Sequence, residues 1–199
     1  MKILILGDVM GAPGRNVIKN KLSQIISENK IDFTVLNGEN SADDGKGITN
    51  FIAKDFFLQG VDVITSGNHI WNKKETIDFI NSEKRLLRPA NLAEGSPGNG
   101  FGIFQSKNKK FKVGVVNLMG NVFMRKANNV FDVCKKIEEK IILKKNVDFI
   151  VVDFHAEVTS EKTAMGHFLD GKATCVVGTH THIPTADTRI LDKGTAYQT

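Results

Sequence analysis

Cysteine is scarce in this sequence, and its scarcity argues against one class of small stable protein. The 199 residues include only two cysteines, Cys134 and Cys175, and neither lies in a cysteine motif. Small secreted domains often depend on several disulfide bonds for their stability. We therefore do not expect a disulfide framework here.

Long apolar runs are missing as well. No apolar stretch approaches the roughly 18–20 residues that a membrane-spanning helix needs. The N-terminal stretch "MKILILGDVM" has a short apolar run that already reaches Asp8, which is too short for a secretory signal. We interpret it as a first strand and expect a cytoplasmic protein with no membrane partner.

Internal repeats, low-complexity segments and linkers are also absent, and the composition is 41% hydrophobic and 25% charged. These features predict one globular domain over residues 1–199. The net charge of +5 raises the question of nucleic-acid binding. The lysines are spread out, however, and the densest cluster, "KNKKFK" (107–112), lies between two apolar runs, as a solvated hairpin turn does.

Short β-branched runs alternate with helical patterns in the first half of the chain. Such alternation is typical of α/β units with parallel, buried strands. We expect "GAPGRN" (11–16) to form a turn. The predicted strands are 2–8, 32–39 and 61–68, and the predicted helices are 16–29, 49–60 and 73–82.

The second half has a different pattern, with hairpin signals at both of its ends. The apolar runs 100–107 and 111–119 flank the lysine-rich turn, and 186–199 suggests a closing hairpin. Together the two halves predict an α/β fold with one mixed sheet or two packed sheets. The remaining predicted elements are helices at 129–145 and 160–171 and strands at 147–157 and 173–180.

Polar residues that can bind metals follow the predicted strands at the point where each strand ends. In open α/β sheets, ligands bind at the carboxyl ends of the strands. Each residue alone is compatible with a turn, a cap or a satisfied loop, but their shared position favours a metal site. The residues are Asp8, Glu39, Asn40, Asn68, His69, His155, His180 and His182.

The stretch "VVGTHTH" (176–182) is the most suggestive of these strand ends. In an extended chain, His180 and His182 would project to the same face with Cβ atoms roughly 6–7 Å apart. That spacing suits metal binding. By contrast, His167 falls inside a predicted helix, and Asp43 and Asp44 fall in a glycine-rich turn, so we assign them no role in the site.

The number of candidate ligands indicates two metal ions. Seven oxygen and nitrogen groups are too many for one tetrahedral ion and suit two ions that share a carboxylate. A set without thiolates favours iron or manganese, with zinc also allowed. Two metal ions can stabilise the attacking and leaving oxygens of a phosphoryl displacement. The set is Asp8, Glu39, Asn40, Asn68, His155, His180 and His182.

The order of these motifs resembles that of the calcineurin-like metallophosphoesterases. Their pattern is Asp-x-His, Gly-Asp, Gly-Asn-His, a single His and Gly-His-x-His. This sequence departs from it twice, since "DVM" lacks the first histidine and Glu39 replaces the second aspartate. Both departures are typical of the YmdB-like bacterial phosphodiesterases, as are the stretches "NGENSADDGKGIT", "RPAN" and "GTHTHIPTAD".

The resemblance implies a fold and a role for each site residue. The implied fold is a four-layer α/β/β/α sandwich. Glu39 would bridge the two metals and His69 would protonate the leaving oxygen as general acid. The first metal would be held by Asp8, Asn40 and His182, and the second by Asn68, His155 and His180.

The resemblance also implies a reaction, the hydrolysis of 2′,3′-cyclic nucleotides by in-line attack of a hydroxide between the metals. Small phosphodiesters are the expected partners, with RNA ends as an open alternative. Relatives continue past the equivalent of Thr199, so a sheet edge and part of the pocket wall are expected to lie beyond this chain. The physiological metal, the ester bond that breaks and homo-oligomer formation stay open.

Two other functions remain in view. One is a regulatory protein that binds metals and nucleotides with little turnover. The other is a Rossmann-like nucleotide binder that uses "GDVMGAPG". The second is weak, because the glycine spacing is not G-x-G-x-x-G and the histidines would have no role.

Overall fold

The computed structural model describes residues 1–199, and the chain divides into two compact units. Unit 1 contains residues 1–88 and 97–99, and unit 2 contains residues 89–96 and 100–199. The single domain over residues 1–199 stays a prediction.

Unit 1 is built on a parallel sheet of three strands. Strand β2 (Phe33–Asn37) lies between β1 (Ile3–Leu6) and β3 (Val63–Thr65), and both neighbours run parallel to it. All five residues of β2 are buried, as expected for a central parallel strand. The three predicted strands are confirmed, with shorter bounds.

The helices of unit 1 are α1 (Gly11–Asn29), α2 (Asn50–Leu58) and α3 (Lys74–Ser82), with a short 3₁₀ helix at Ile70–Asn72. The predicted turn at 11–16 is wrong, because these residues form the first turns of α1. Pro13 is compatible with this position, since a helix makes no use of the backbone N–H groups of its first turn.

Unit 2 is built on a mixed sheet of six strands, in the order β4-β5-β6-β7-β9-β8. Antiparallel pairs close both edges, and the pairs between β5, β6, β7 and β9 are parallel. Both predicted hairpins are confirmed. The strands are β4 (Phe101–Gln105), β5 (Lys112–Met119), β6 (Phe149–His155), β7 (Cys175–Thr179), β8 (Arg189–Ile190) and β9 (Ala196–Gln198).

The helices of unit 2 are α4 (Val130–Glu138) and α5 (Thr159–Phe168). The predicted helix at 129–145 is too long, because the chain turns after Glu138. The side chain of Asn146 accepts a hydrogen bond from the Ile142 N–H and donates one to the Lys140 carbonyl, at 2.8 and 2.7 Å. These bonds compete with further helical turns.

The core of unit 2 lies between its helices and its sheet. Val130, Cys134 and Ile137 of α4 and Met165 of α5 are buried in one cluster with side chains of the central strands. None of the helices is both long and apolar enough to cross a membrane. The predicted α/β class with mixed strand pairing is confirmed.

Candidate metal centre

The predicted strand ends belong to two different sheets. Three of them, after β1, β2 and β3, lie in unit 1, and two, after β6 and β7, lie in unit 2. Two separate sheets are one of the two arrangements that the sequence left open. Strand pairing is decided by contacts that are distant in sequence, which the motif order does not report.

In unit 1, backbone hydrogen bonds hold the three loops that follow the strands. The Val9 N–H donates to the Asn37 carbonyl at 3.0 Å, and the Gly38 N–H donates to the Thr65 carbonyl at 2.9 Å. The Gly11 N–H donates to the Asn40 carbonyl at 2.8 Å. These bonds extend the parallel pairing beyond the strands, so the loops that carry the candidate ligands of unit 1 are neighbours.

Glu39 and Asn40 are both buried, with exposed fractions of 0% and 8%. Glu39 Oε1 accepts a hydrogen bond from the His69 backbone N–H at 3.1 Å. A carboxylate is rarely buried completely unless donors or cations meet it. The amide nitrogen of Asn40 donates to the Gly45 carbonyl at 2.9 Å, so a cation would contact Asn40 through Oδ1.

His69 lies directly before the 3₁₀ helix of unit 1 and follows Asn68. Its backbone is fixed by the hydrogen bond to Glu39, whereas its ring atom Nδ1 is buried without a hydrogen-bond partner in the chain. Buried polar atoms are nearly always hydrogen-bonded, and an exception is a reason to expect an external partner.

In unit 2, the ends of β6 and β7 bring two histidines together. His155 is the last residue of β6 and pairs in register with Thr179, the last residue of β7. His180 follows, and its Nδ1 lies 3.1 Å from Nε2 of His155. The rings meet edge to face, with centroids 4.8 Å apart.

We call the two nitrogens that face each other the inner nitrogens and the other nitrogen of each ring the outer one. The outer nitrogens of both rings have oxygen partners. His155 Nδ1 lies 2.9 Å from Thr179 Oγ1, and His180 Nε2 lies 3.2 Å from a carboxylate oxygen of Glu157. Protons on the outer nitrogens leave lone pairs on both inner nitrogens. The two inner nitrogens lie at hydrogen-bonding distance, so either one shared proton or one metal ion can occupy the position between them.

The inner pair fits a metal ion. The 3.1 Å between the nitrogens is less than twice a metal–nitrogen bond, which is about 2.0–2.1 Å for zinc. One ion can therefore contact both rings. Iron, manganese and zinc bind such ligand atoms, which are imidazole nitrogens in unit 2 and carboxylate and amide oxygens in unit 1.

The conformation of His180 and His182 differs from the expected one. Strand β7 ends before them, and their φ angles are 94° and 54°, so neither is extended. The extended conformation from which their common face was inferred is therefore wrong, and the common face itself stays a prediction. Positive φ is uncommon for residues other than glycine and clusters at functional sites. His182, a predicted ligand, lies in the loop after β7. His167, to which the sequence assigned no role, lies in α5.

Sequence reasoning missed Thr179 and Glu157, which contact His155 and His180, and Asp153, which accepts a hydrogen bond from Thr179. A signal was present for Asp153, since a charged residue inside the run "FIVVDFH" needs a polar partner. Thr179 and Glu157 carried no such signal. Their importance comes from the alignment of β6 with β7 and from the loop conformation.

The chain matches known proteins along its whole length. A family model described as "YmdB-like protein" matches residues 4–199. A Bacillus subtilis protein named 2′,3′-cyclic-nucleotide 2′-phosphodiesterase is 46% identical over 200 residues, which cover all of this chain and 74% of that protein.

Two solved structures are also similar. A hypothetical protein from Thermus thermophilus has a TM-score of 0.90 and 37% identity, with 100% of this chain and 75% of that chain covered. A phosphatase from Mycoplasma pneumoniae has a TM-score of 0.88 and 40% identity, with 99% and 70% covered. These matches and the strand topology confirm the expected metallophosphoesterase class of α/β fold with mixed sheets.

Proposed function

The chain belongs to the YmdB-like protein family, and from that premise we propose that it is a metal-dependent phosphodiesterase that hydrolyses 2′,3′-cyclic nucleotides. The observation that carries the proposal is the 46% identity, over the whole chain, to the Bacillus subtilis 2′,3′-cyclic-nucleotide 2′-phosphodiesterase. This identity confirms the enzyme class predicted from the sequence, a phosphoric diester hydrolase. The name of that relative specifies the 2′ ester, so the expected product is a nucleoside 3′-phosphate.

The proposed cofactors are two metal ions, iron or manganese before zinc. When bound, they would supply positive charge that stabilises the attacking and leaving oxygens of the displacement. The buried carboxylate of Glu39 and the inner nitrogens of His155 and His180 support this proposal. The proposed ligands are Asp8, Glu39, Asn40, Asn68, His155, His180 and His182.

His69 is the proposed general acid. Its backbone is fixed by Glu39, and its ring has a buried nitrogen without a partner in the chain. In this proposal the ring delivers a proton to the leaving 2′ oxygen. A neutral hydroxyl is a much better leaving group than an alkoxide, so this transfer lowers the barrier.

The first experiment offers 2′,3′-cyclic AMP and 3′,5′-cyclic AMP to the purified chain with Mn²⁺, after circular dichroism has confirmed folding. We expect selective cleavage of the 2′,3′ compound and a 3′-phosphate product by chromatography. RNA with a 2′,3′-cyclic end is a further proposed substrate, and the cytoplasm is the proposed compartment. Tight binding of cyclic nucleotide with negligible turnover would contradict the proposed phosphodiesterase activity. It would favour a regulatory protein that binds metals and nucleotides.

A further inference from the structure

We infer that Asp153 and Thr179 form a hydrogen-bonded relay that fixes the tautomer of His155, so that Nε2 is the nitrogen it offers to a metal ion. The metal-binding part of this inference rests on the proposed function. The tautomer itself does not depend on it. The relay consists of positioning residues, because neither side chain is among the proposed ligands.

The relay is built by two neighbouring strands of unit 2. His155 on β6 pairs in register with Thr179 on β7, and Asp153 precedes His155 by two residues, on the same face of β6. Thr179 Oγ1 lies 2.7 Å from Asp153 Oδ1 and 2.9 Å from His155 Nδ1. The exposed fractions of Asp153, His155 and Thr179 are 2%, 0% and 6%.

The count of protons decides the direction of these bonds. A threonine hydroxyl has one proton to donate, and an ionised carboxylate can only accept. Thr179 therefore donates its proton to Asp153, and its oxygen accepts from His155 Nδ1–H. With the proton on Nδ1, the neutral ring has its lone pair on Nε2.

Nε2 is the nitrogen that faces His180 Nδ1 at 3.1 Å. A neutral histidine without such a partner prefers its proton on Nε2, which would block this position. The apparent metal affinity is the intrinsic affinity multiplied by the fraction of molecules in the competent state. Loss of a hydrogen bond that orients a ligand histidine typically weakens metal binding about 10–100-fold.

The key variant is Thr179→Val, which keeps the shape of the side chain and removes the hydroxyl. Thr179→Ser keeps the hydroxyl and should restore the wild-type behaviour. Thr195→Val is the matched control, since Thr195 is also fully buried in unit 2 and its hydroxyl donates to the Ala173 carbonyl at 2.7 Å. This control reports the effect of losing a buried hydroxyl away from His155.

The experiment records imidazole ¹H–¹⁵N long-range spectra of the metal-free chain at about pH 8, where most histidines are neutral. The signal of His155 is assigned by its loss in His155→Gln. We expect the Nδ1–H tautomer in the wild type, Thr179→Ser and Thr195→Val, and an increased Nε2–H tautomer in Thr179→Val. Calorimetry with Mn²⁺ should show about 10–100-fold weaker binding for Thr179→Val only.

An Nε2–H tautomer of His155 in the wild type would overturn the relay, even if Thr179→Val does not fold. An unchanged tautomer in folded Thr179→Val would overturn it as well. A wild-type chain that has the Nδ1–H tautomer and binds no Mn²⁺ would contradict the proposed function and leave the relay confirmed. Equal Mn²⁺ affinity in the wild type and Thr179→Val would overturn the effect on metal binding.

Discussion

At the scale of single residues, the structure places the candidate ligands in environments that suit a cation. Glu39 is a fully buried carboxylate, and His155 and His180 face each other through their inner nitrogens. Such arrangements are costly without positive charge. The site residues should therefore affect metal content and turnover separately, according to their roles.

Asp8→Asn and His180→Ala should each abolish turnover and reduce metal content, because each removes a proposed ligand. Metal content can be measured by elemental analysis after gel filtration, and turnover with 2′,3′-cyclic AMP. His167→Ala is the matched control, since His167 is exposed in α5. Full activity in Asp8→Asn or His180→Ala would show that the assigned site is wrong.

His69→Ala should lower kcat by about 10²–10⁴-fold, the usual contribution of a general acid, while metal content stays at the wild-type level. The expected effect is smaller for a substrate with a good leaving group, such as bis(p-nitrophenyl) phosphate, because that group needs no proton. A parallel loss of metal would instead make His69 a ligand.

The two thiols provide a separate test at the residue scale. Burial raises the pKa of Cys134 to about 12 and that of Cys175 to about 11. The thiolate is the reactive form, so both cysteines should react slowly with Ellman's reagent at about pH 8 in the folded chain and rapidly in denaturant. Fast labelling of the folded chain, with circular dichroism unchanged, would contradict the buried position of Cys134 and the partly buried position of Cys175.

At the scale of elements, helix α5 is packed closely against strand β9. Gly166 faces Tyr197, and a Cβ atom added at Gly166 would lie only 2.5 Å from the Tyr197 ring. Tyr197 is 2% exposed, and its hydroxyl lies 3.2 Å from Thr163 Oγ1 on the same helix. The glycine is unfavourable for the helix itself, so its presence reflects this packing.

Gly166→Ala should lower the free energy of unfolding by about 1–3 kcal/mol through overpacking, although alanine is the better helix former. Urea denaturation measures the change. Ala164→Gly, at an exposed position of the same helix, isolates helix propensity and should cost about 1 kcal/mol. A Gly166→Ala variant more stable than the wild type would refute the close packing.

At the scale of the whole molecule, metal binding should be linked to stability. A ligand that binds only the folded state stabilises it by about 2.7 kcal/mol at 100 times its Kd. For a chain of this size that corresponds to a rise in Tm of roughly 5–10 °C. Saturating Mn²⁺ should therefore raise Tm, and EDTA should reverse the effect.

The variant Asp8→Asn is the control for this prediction, because it should have a smaller shift in Tm with Mn²⁺. Differential scanning calorimetry of both chains, with and without metal, makes the comparison. An identical Tm for the wild type in Mn²⁺ and in EDTA would contradict specific binding to the folded state.

The sequence by itself determined the elements whose signals are local, and it determined the chemistry of the strand ends. The hairpin of β4 and β5 and helix α3 follow from periodicity and turn residues, and the motifs from Asp8 to His182 indicated the family that the comparisons confirm. Local energetics decide these features, so a single segment carries enough information.

Only the tertiary structure decided which strands pair and how the histidines are oriented. Strand β9 pairs in parallel with β7, although its nearest partner in sequence is β8, and this pairing depends on contacts across many residues. The partnership of His155 with Thr179 exists because β6 and β7 align in one register. Register is set by the burial of whole strand faces, a property of the packed sheet that no short stretch of sequence contains.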